Sequence, residues 1–169
     1  ALTYSEGRGV KLQWSRLSAD QKNDFLSGRS DEETDQARLK FLLGDRSKEG
    51  SEFHTRSSVL GPIARSVPVY VGKLNQSWLD STSDSTYANF LNRTATRTAM
   101  VYAGSNSGAL HGFDAITGEE KLAYYPGALY RTGHGGYHAL ALVGVQHNTN
   151  TDDGILNVKT VKVHGKWKT

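Results

Sequence analysis

The chain has 169 residues, of which 37% are hydrophobic and 22% charged. That size and balance suit one globular domain, or one with a small appendage, and exclude a disordered chain. It contains no cysteine, so a disulfide and a cysteine-built zinc site are both excluded. The net charge of +3 permits an acidic partner without arguing for nucleic acid. No apolar run approaches membrane-spanning length and no secretory signal opens the sequence. Ala1 in place of an initiator methionine reads as processing or excision from a longer chain. The 18 glycines favour a turn-rich β protein.

Residues 1–11 are polar and are expected to be loosely held. Ser18-Ala19-Asp20-Gln21 has capping-box spacing, with Ser18 as N-cap and Gln21 reaching back. Phe25 and Leu26 give the helix that follows an apolar side, and Gly28 is its stop. Ser30-Asp31-Glu32-Glu33 repeats the start signal. Leu39, Leu42 and Leu43 fall at helical spacing, and Gly44 ends the second helix. Residues 44–50 form a polar loop that lacks the GK[ST] ending of a phosphate loop, so a surface connection is expected. A strand is expected at 67–71, with Pro68 near its start. Residues 75–97 read as a long polar loop anchored by Trp78, Tyr87 and Phe90.

Residues 100–125 carry the clearest pattern, three short strands joined by two tight turns. Asn106, Ser107 and Gly108 make the first turn; Asp114, Thr117 and Gly118 make the second. Asp114, Glu119 and Glu120 lie in turn and strand-start positions, where capping accounts for them. Val69-Tyr70-Val71-Gly72 recurs 32 residues later as Val101-Tyr102-Ala103-Gly104, a hint of a repeated supersecondary unit.

The tail reads as a β-hairpin, with strands in 137–145 and 155–163 and Asp153-Gly154 in its turn. Asn148, Asn150, Asp152 and Asp153 invite a calcium reading, but the alternating carboxylates and distal acid of a calcium loop are missing. His134 and His138 are four apart, yet Gly135 and Gly136 argue against a zinc-binding helix, and loop histidines are expected. Lys159, Lys162, Lys166 and Lys168 with Trp167 form a basic, aromatic end, read as a protected strand edge. No nucleophile elbow, HExxH or Rossmann fingerprint occurs, so no catalytic residue is assigned and an enzyme is not expected.

Several stretches together resemble the propeller region of the PilY1/PilC family of type IV pilus-associated proteins. These are Leu17–Gln21, the run from Arg38 to Ser47 ending in Leu-x-Gly-Asp-Arg-Ser, and Phe53, Arg56-Ser57-Ser58, Leu60-Gly61, Ile63 and Ser66. Pro68 to Gly72 and the blade signature Val101-Tyr102-Ala103-Gly104, Asn106, Gly108, Leu110-His111, Phe113-Asp114-Ala115, Thr117-Gly118-Glu119 continue it. The resemblance covers about residues 14–130 and departs at Pro62 and at Ser107, where the family usually has acidic residues. It implies a mainly β fold with N-terminal helices and partial, propeller-like antiparallel sheets. The domain plan is then a helical lead-in at 1–50, blade strands at 51–130 with the long loop 75–97, and the hairpin tail at 131–169. A full propeller needs about four to eight blades, so only part of one fits, either as a fragment or as a shortened relative.

The resemblance further implies a non-enzymatic role in pilus assembly and surface adhesion. The partners would be pilin or minor pilin subunits and a host or abiotic surface, at the bacterial cell surface, fimbrium or outer-membrane-associated periplasm. The family's relatives bind calcium, and the one place the residues offer for it is Asn148, Asn150, Asp152 and Asp153, beyond the stretch the resemblance covers, where a plain turn is the expected reading. Two alternatives stay open: part of a quinoprotein-type dehydrogenase propeller, which shares the blade signature, and an envelope scaffold that binds partners by strand addition.

Overall fold

The computed structural model describes residues 1–27, 32–74, 85–131, 135–142, 156, 161–164 and 166–168. The start signal at Ser30, the anchor Trp78, His134, and the calcium reading at Asn148, Asn150, Asp152 and Asp153 lie outside the described residues. In chain order the elements are β1 (Leu2–Ser5), β2 (Arg8–Lys11), α1 (Ala19–Leu26), α2 (Glu32–Leu42), β3 (Val69–Val71), α3 (Ser85–Thr94), β4 (Met100–Ser105), β5 (Ala109–Asp114), β6 (Glu120–Tyr125), β7 (Val161–Val163) and β8 (Lys166–Lys168). Six strands form one sheet in the order β2-β1-β6-β5-β4-β3.

Strands β3 to β6 make an antiparallel meander. The sheet is mixed rather than purely antiparallel, because β1 runs parallel to β6, with Leu2 opposite Tyr124 and Thr3 opposite Tyr125. The expectation of a mainly β chain with N-terminal helices and antiparallel sheets holds for α1, α2 and the antiparallel meander and is corrected in class: among the described residues this is a mixed α/β architecture, one six-stranded mixed sheet with three α-helices.

The first eleven residues are not loose. β1 and β2 form a hairpin turned by Glu6 and Gly7, both at positive φ, as a two-residue hairpin turn of matching twist requires. Its side chains are inverted relative to the usual pattern. Thr3 and Ser5 are buried, whereas Leu2 and Tyr4 are 42% and 51% exposed. Thr3 earns its place by donating its hydroxyl to the Tyr125 carbonyl at 2.7 Å.

The α1 capping box is present as read: Ser18 Oγ accepts from Gln21 N–H at 3.3 Å, and Gln21 Oε1 accepts from Ser18 N–H at 3.0 Å. Gln21 also donates to the Tyr4 carbonyl at 2.9 Å, tying α1 to β1. Helix α2 ends in a Schellman arrangement. Asp45 N–H reaches the Lys40 carbonyl and Gly44 N–H the Phe41 carbonyl, with Gly44 at φ +107°. Buried Arg38 donates to the Phe25 carbonyl near the end of α1, a cation at the negative end of a helix.

Both helices pack their apolar faces toward the sheet. The core joins Leu12, Leu17, Phe25, Leu39, Leu42, Ala109, Tyr125, Tyr137 and Leu140. Phe25 is wholly buried, worth about 2 kcal/mol in transferred apolar surface. Tyr137 stands between Tyr125 and Tyr130, with ring centroids 5.7 and 4.7 Å away in edge-to-face contact.

Three further expectations are corrected. The reading of 75–97 as one long loop fails at 85–94, which are α3; Tyr87 and Phe90, three apart, share its buried face. Residues 137–145 do not begin as a strand: Tyr137–Ala141 is a 3-10 helix, and the observed tail hairpin pairs β7 with β8. The two copies of the Val-Tyr-x-Gly echo do not occupy equivalent places in successive units. They pair with each other, Val69 opposite Tyr102 and Tyr70 opposite Val101, as antiparallel neighbours in one sheet.

Candidate functional site

The end of α2 and the loop after it, 44–58, are built around one side chain. Arg56 is buried, and each nitrogen of its guanidinium has a partner. Nε donates to Glu49 Oε1 at 2.7 Å, Nη1 to the Phe41 carbonyl at 2.8 Å and Nη2 to the Asp45 carbonyl at 2.9 Å. The Phe41 and Asp45 carbonyls lie at the C-terminal end of α2, so the cation also meets the negative end of that helix. Its plane stacks over the Phe41 ring at 3.7 Å. Arg46 closes the circuit, donating to Glu49 Oε2 at 3.1 Å and to the Arg56 carbonyl at 2.5 Å. Asp45 Oδ1 accepts from Ser47 N–H at 2.8 Å, and that bond holds its carboxyl below the usual carboxylate range. The loop is therefore polar outside and rigidly tied inside.

Burial pushes the Glu49 carboxyl up, but the bonds from Arg56 and Arg46 outweigh it and bring it down to about 2. A carboxyl lowered on folding contributes stability above its unfolded value and loses it as pH falls toward the folded one. The window here runs from about 4.5 to about 2. Glu49→Gln lacks this contribution at every pH. In thermal melts the gap in Tm between wild type and Glu49→Gln is therefore expected to be full above pH 5 and to shrink steadily toward pH 2.

The first turn of the meander sits beside the segment that leaves this loop. Asn106 is buried and its N–H donates to the Pro62 carbonyl at 3.0 Å, joining the first turn to the segment leaving the loop. Gly108 lies against Tyr137, where a Cβ would meet the ring at 2.7 Å. Asp114 Oδ1 accepts from Ile116 N–H at 2.9 Å and Thr117 N–H at 3.0 Å, which lowers its carboxyl. Gly118, at φ +73°, closes that turn, and Thr117 Oγ1 accepts from Glu119 N–H at 3.3 Å. The second turn is exposed and at the far end of the hairpin from the Arg56 loop, so the five turn residues do not converge on one site.

Two grooves border the first turn. One, of about 490 Å³, runs along 55–62; the other, of about 360 Å³, runs along the β5–β6 face. They share Leu42, Val59, Leu60 and Ser107 and so form one trough.

Two polar centres escaped the sequence reading. Asp24 of α1 is wholly buried and binds His138, which is buried and lies in the 3-10 helix Tyr137–Ala141 rather than in a loop. Ser105, Ser107, His111 and Glu120 form a second cluster on the meander. Spacing offers no signal for the first, whose partners are 114 residues apart. The His111 and Glu120 pairing depends on an irregularity in strand register.

A helix-backed sheet with a four-stranded meander and short built turns is the class of domain this geometry defines. Residues 60–151 match the PilY1 beta-propeller domain. The chain is 40% identical over 137 residues to the type IV pilus biogenesis factor PilY1 of Pseudomonas aeruginosa strain PAK, covering 75% of this chain and 12% of that protein. A PilY1 homolog from Xylella fastidiosa strain Temecula1 is 42% identical over 96 residues, 53% of this chain and 8% of that one. No solved structure matches the chain. The chain belongs to the PilY1 family, and it spans 12% of the length of the Pseudomonas relative. Among the described residues no helix is long and apolar enough to cross a membrane.

Proposed function

We propose that this chain serves a type IV pilus, in pilus assembly and surface adhesion, by presenting loops to other surfaces. The observation that carries the reading is the 40% identity, over 75% of the chain, to a protein named as a type IV pilus biogenesis factor. The build of loop 44–58 supports it. Its interior is held by Arg56, while Arg46, Lys48 and Glu52 reach solvent and Val59, Leu60 and Ile63 follow as exposed apolar residues. A rigid base with a mixed polar and apolar rim suits recognition of another surface. The partners would be pilin or minor pilin subunits and a host or abiotic surface, and the place would be the cell surface or fimbrium.

The test is genetic. Deleting the source locus is expected to remove surface pili and attachment, and the intact gene to restore both. Replacing the outward side chains Lys48 and Glu52 by Ala in the full-length protein should leave pili in place and reduce attachment. Normal piliation and attachment in the deletion strain would overturn the reading.

A further inference from the structure

Strands β5 and β6 do not stay in register. Gly112 pairs with Leu122, so regular continuation would set Phe113 opposite Lys121; the bulge sets it opposite Glu120 instead. A one-residue slip on a pleated strand exchanges its faces. The bulge therefore places a carboxylate, not an ammonium, on the face that carries His111, Ala123 and Tyr125.

Glu120 Oε1 lies 2.5 Å from His111 Nδ1. The other ring nitrogen, Nε2, lies 3.2 Å from Ser107 Oγ and 3.0 Å from Ser105 Oγ. With Nδ1–H given to Glu120, Nε2 is the acceptor for a serine hydroxyl. Ser105 is wholly buried, touches Ser107 Oγ with its own, and accepts Ser107 N–H at 3.3 Å, so it backs the turn. Ser107 is the serine that borders open space, at the junction of the two grooves. Gly61 lets the far wall close on it, since a Cβ there would stand 2.5 Å from Ser107 N. The walls that would hold a substrate are apolar: Leu42, Val59, Leu60, Phe113 and Tyr125.

We propose that Ser107 is a nucleophile, with His111 as its general base and Glu120 as the positioning residue, that takes acyl groups from small apolar carboxylic esters lying in this trough. A serine hydroxyl is a weak nucleophile until a base removes its proton, and a base works best when a third group fixes its tautomer and orientation. In the first step Ser107 Oγ bonds to the ester carbonyl carbon and its proton passes to His111 Nε2. The ester C–O bond then breaks and the alkoxide leaves with that proton as the alcohol. Water, activated by the same nitrogen, releases the carboxylic acid and restores the serine. This activity stands beside the pilus role and does not depend on it.

The full-length protein is assayed with p-nitrophenyl butyrate and, separately, with a fluorophosphonate probe followed by mass mapping of the adduct. The expected result is hydrolysis above buffer and an adduct on Ser107. Ser107→Ala should remove the adduct and lower hydrolysis on the order of 100-fold. Ser107→Asp keeps a hydrogen-bond acceptor in the turn and should be equally inactive, which separates lost chemistry from a lost fold. Glu120→Gln should lower kcat about tenfold with KM unchanged, a split that a merely structural role would not produce. The proposal is overturned if the folded wild type gives no adduct, if the adduct forms on Ser105 alone, or if hydrolysis survives Ser107→Ala. A Glu120→Gln variant that raises KM and spares kcat would overturn the positioning role.

Discussion

Replacing Asp24 by alanine is expected to lower the stability of this domain by about 4 kcal/mol, the range for breaking a buried hydrogen-bonded charge. For a chain of this size that is a fall in Tm of roughly 10 °C. The carboxylate is wholly buried in α1, yet most of its donors come from the segment after β6. It accepts the N–H groups of Arg131 at 3.2 Å, Tyr137 at 2.9 Å and His138 at 3.4 Å, and binds the His138 ring through Nδ1. Alanine leaves the donors of Tyr137 and His138 buried without an acceptor, and each orphan costs about 1–3 kcal/mol before the surroundings relax. Asp24→Asn should fall between, because one amide oxygen remains to accept while its NH2 faces other donors. Gly136 offers an independent check. A Cβ there would stand 2.2 Å from both Asp24 Oδ1 and the Arg131 carbonyl, so Gly136→Ala should destabilise through the same bracket. Thermal melts by circular dichroism read all three variants. An unchanged Tm in Asp24→Ala would mean that the bracket does not hold Arg131, Tyr137 and His138 to α1.

The second large effect is expected at Arg56. Arg56→Ala removes a buried cation that serves two carbonyls, one carboxylate and one ring, and should cost about 3 kcal/mol, or roughly 6–12 °C in Tm. Arg56→Lys should recover little. An ammonium keeps the charge but not the planar fork that reaches Glu49, the Phe41 carbonyl and the Asp45 carbonyl together. The readout beyond Tm is limited proteolysis. With Arg56 gone, loop 44–58 should be cut faster than the α1 region, whereas equal protection of the loop in both proteins would show that its shape does not rest on this side chain.

These two residues mark the boundary of what local reading can reach. The capping box at Ser18 and Gln21, the stop at Gly44, and the meander 100–125 with its turns at Asn106–Gly108 and Asp114–Gly118 were all legible, because each depends on residues within a few positions of one another. The family was legible for the same reason: its marks are turn residues and strand beginnings in fixed order. The hairpin at 1–11 was not, since its buried face carries Thr3 and Ser5, hydroxyls that become core residues only when the Tyr125 carbonyl and its neighbours surround them. Helix α3 was hidden by a Ser- and Thr-rich stretch, and only the burial of Tyr87 and Phe90 gives it a face. In the tail, an apolar run at 137–142 could pack as strand or helix. Asp24 decided it by taking the backbone N–H groups of Tyr137 and His138.

The order of residues alone was enough to place the turns, the helix starts and the family, since those follow from backbone preferences that a residue carries wherever it sits. It also set the chemistry on hand: serines, histidines and carboxylates, with no thiol. Which of those groups meet was settled by the packed chain. A parallel pairing of the first strand with the sixth, a single bulge between Gly112 and Phe113, and a carboxylate buried more than a hundred residues from its donors decided the contacts. Such contacts rest on long-range geometry, where a shift of one residue turns a side chain to the opposite face, and no window of neighbours along the chain contains that information.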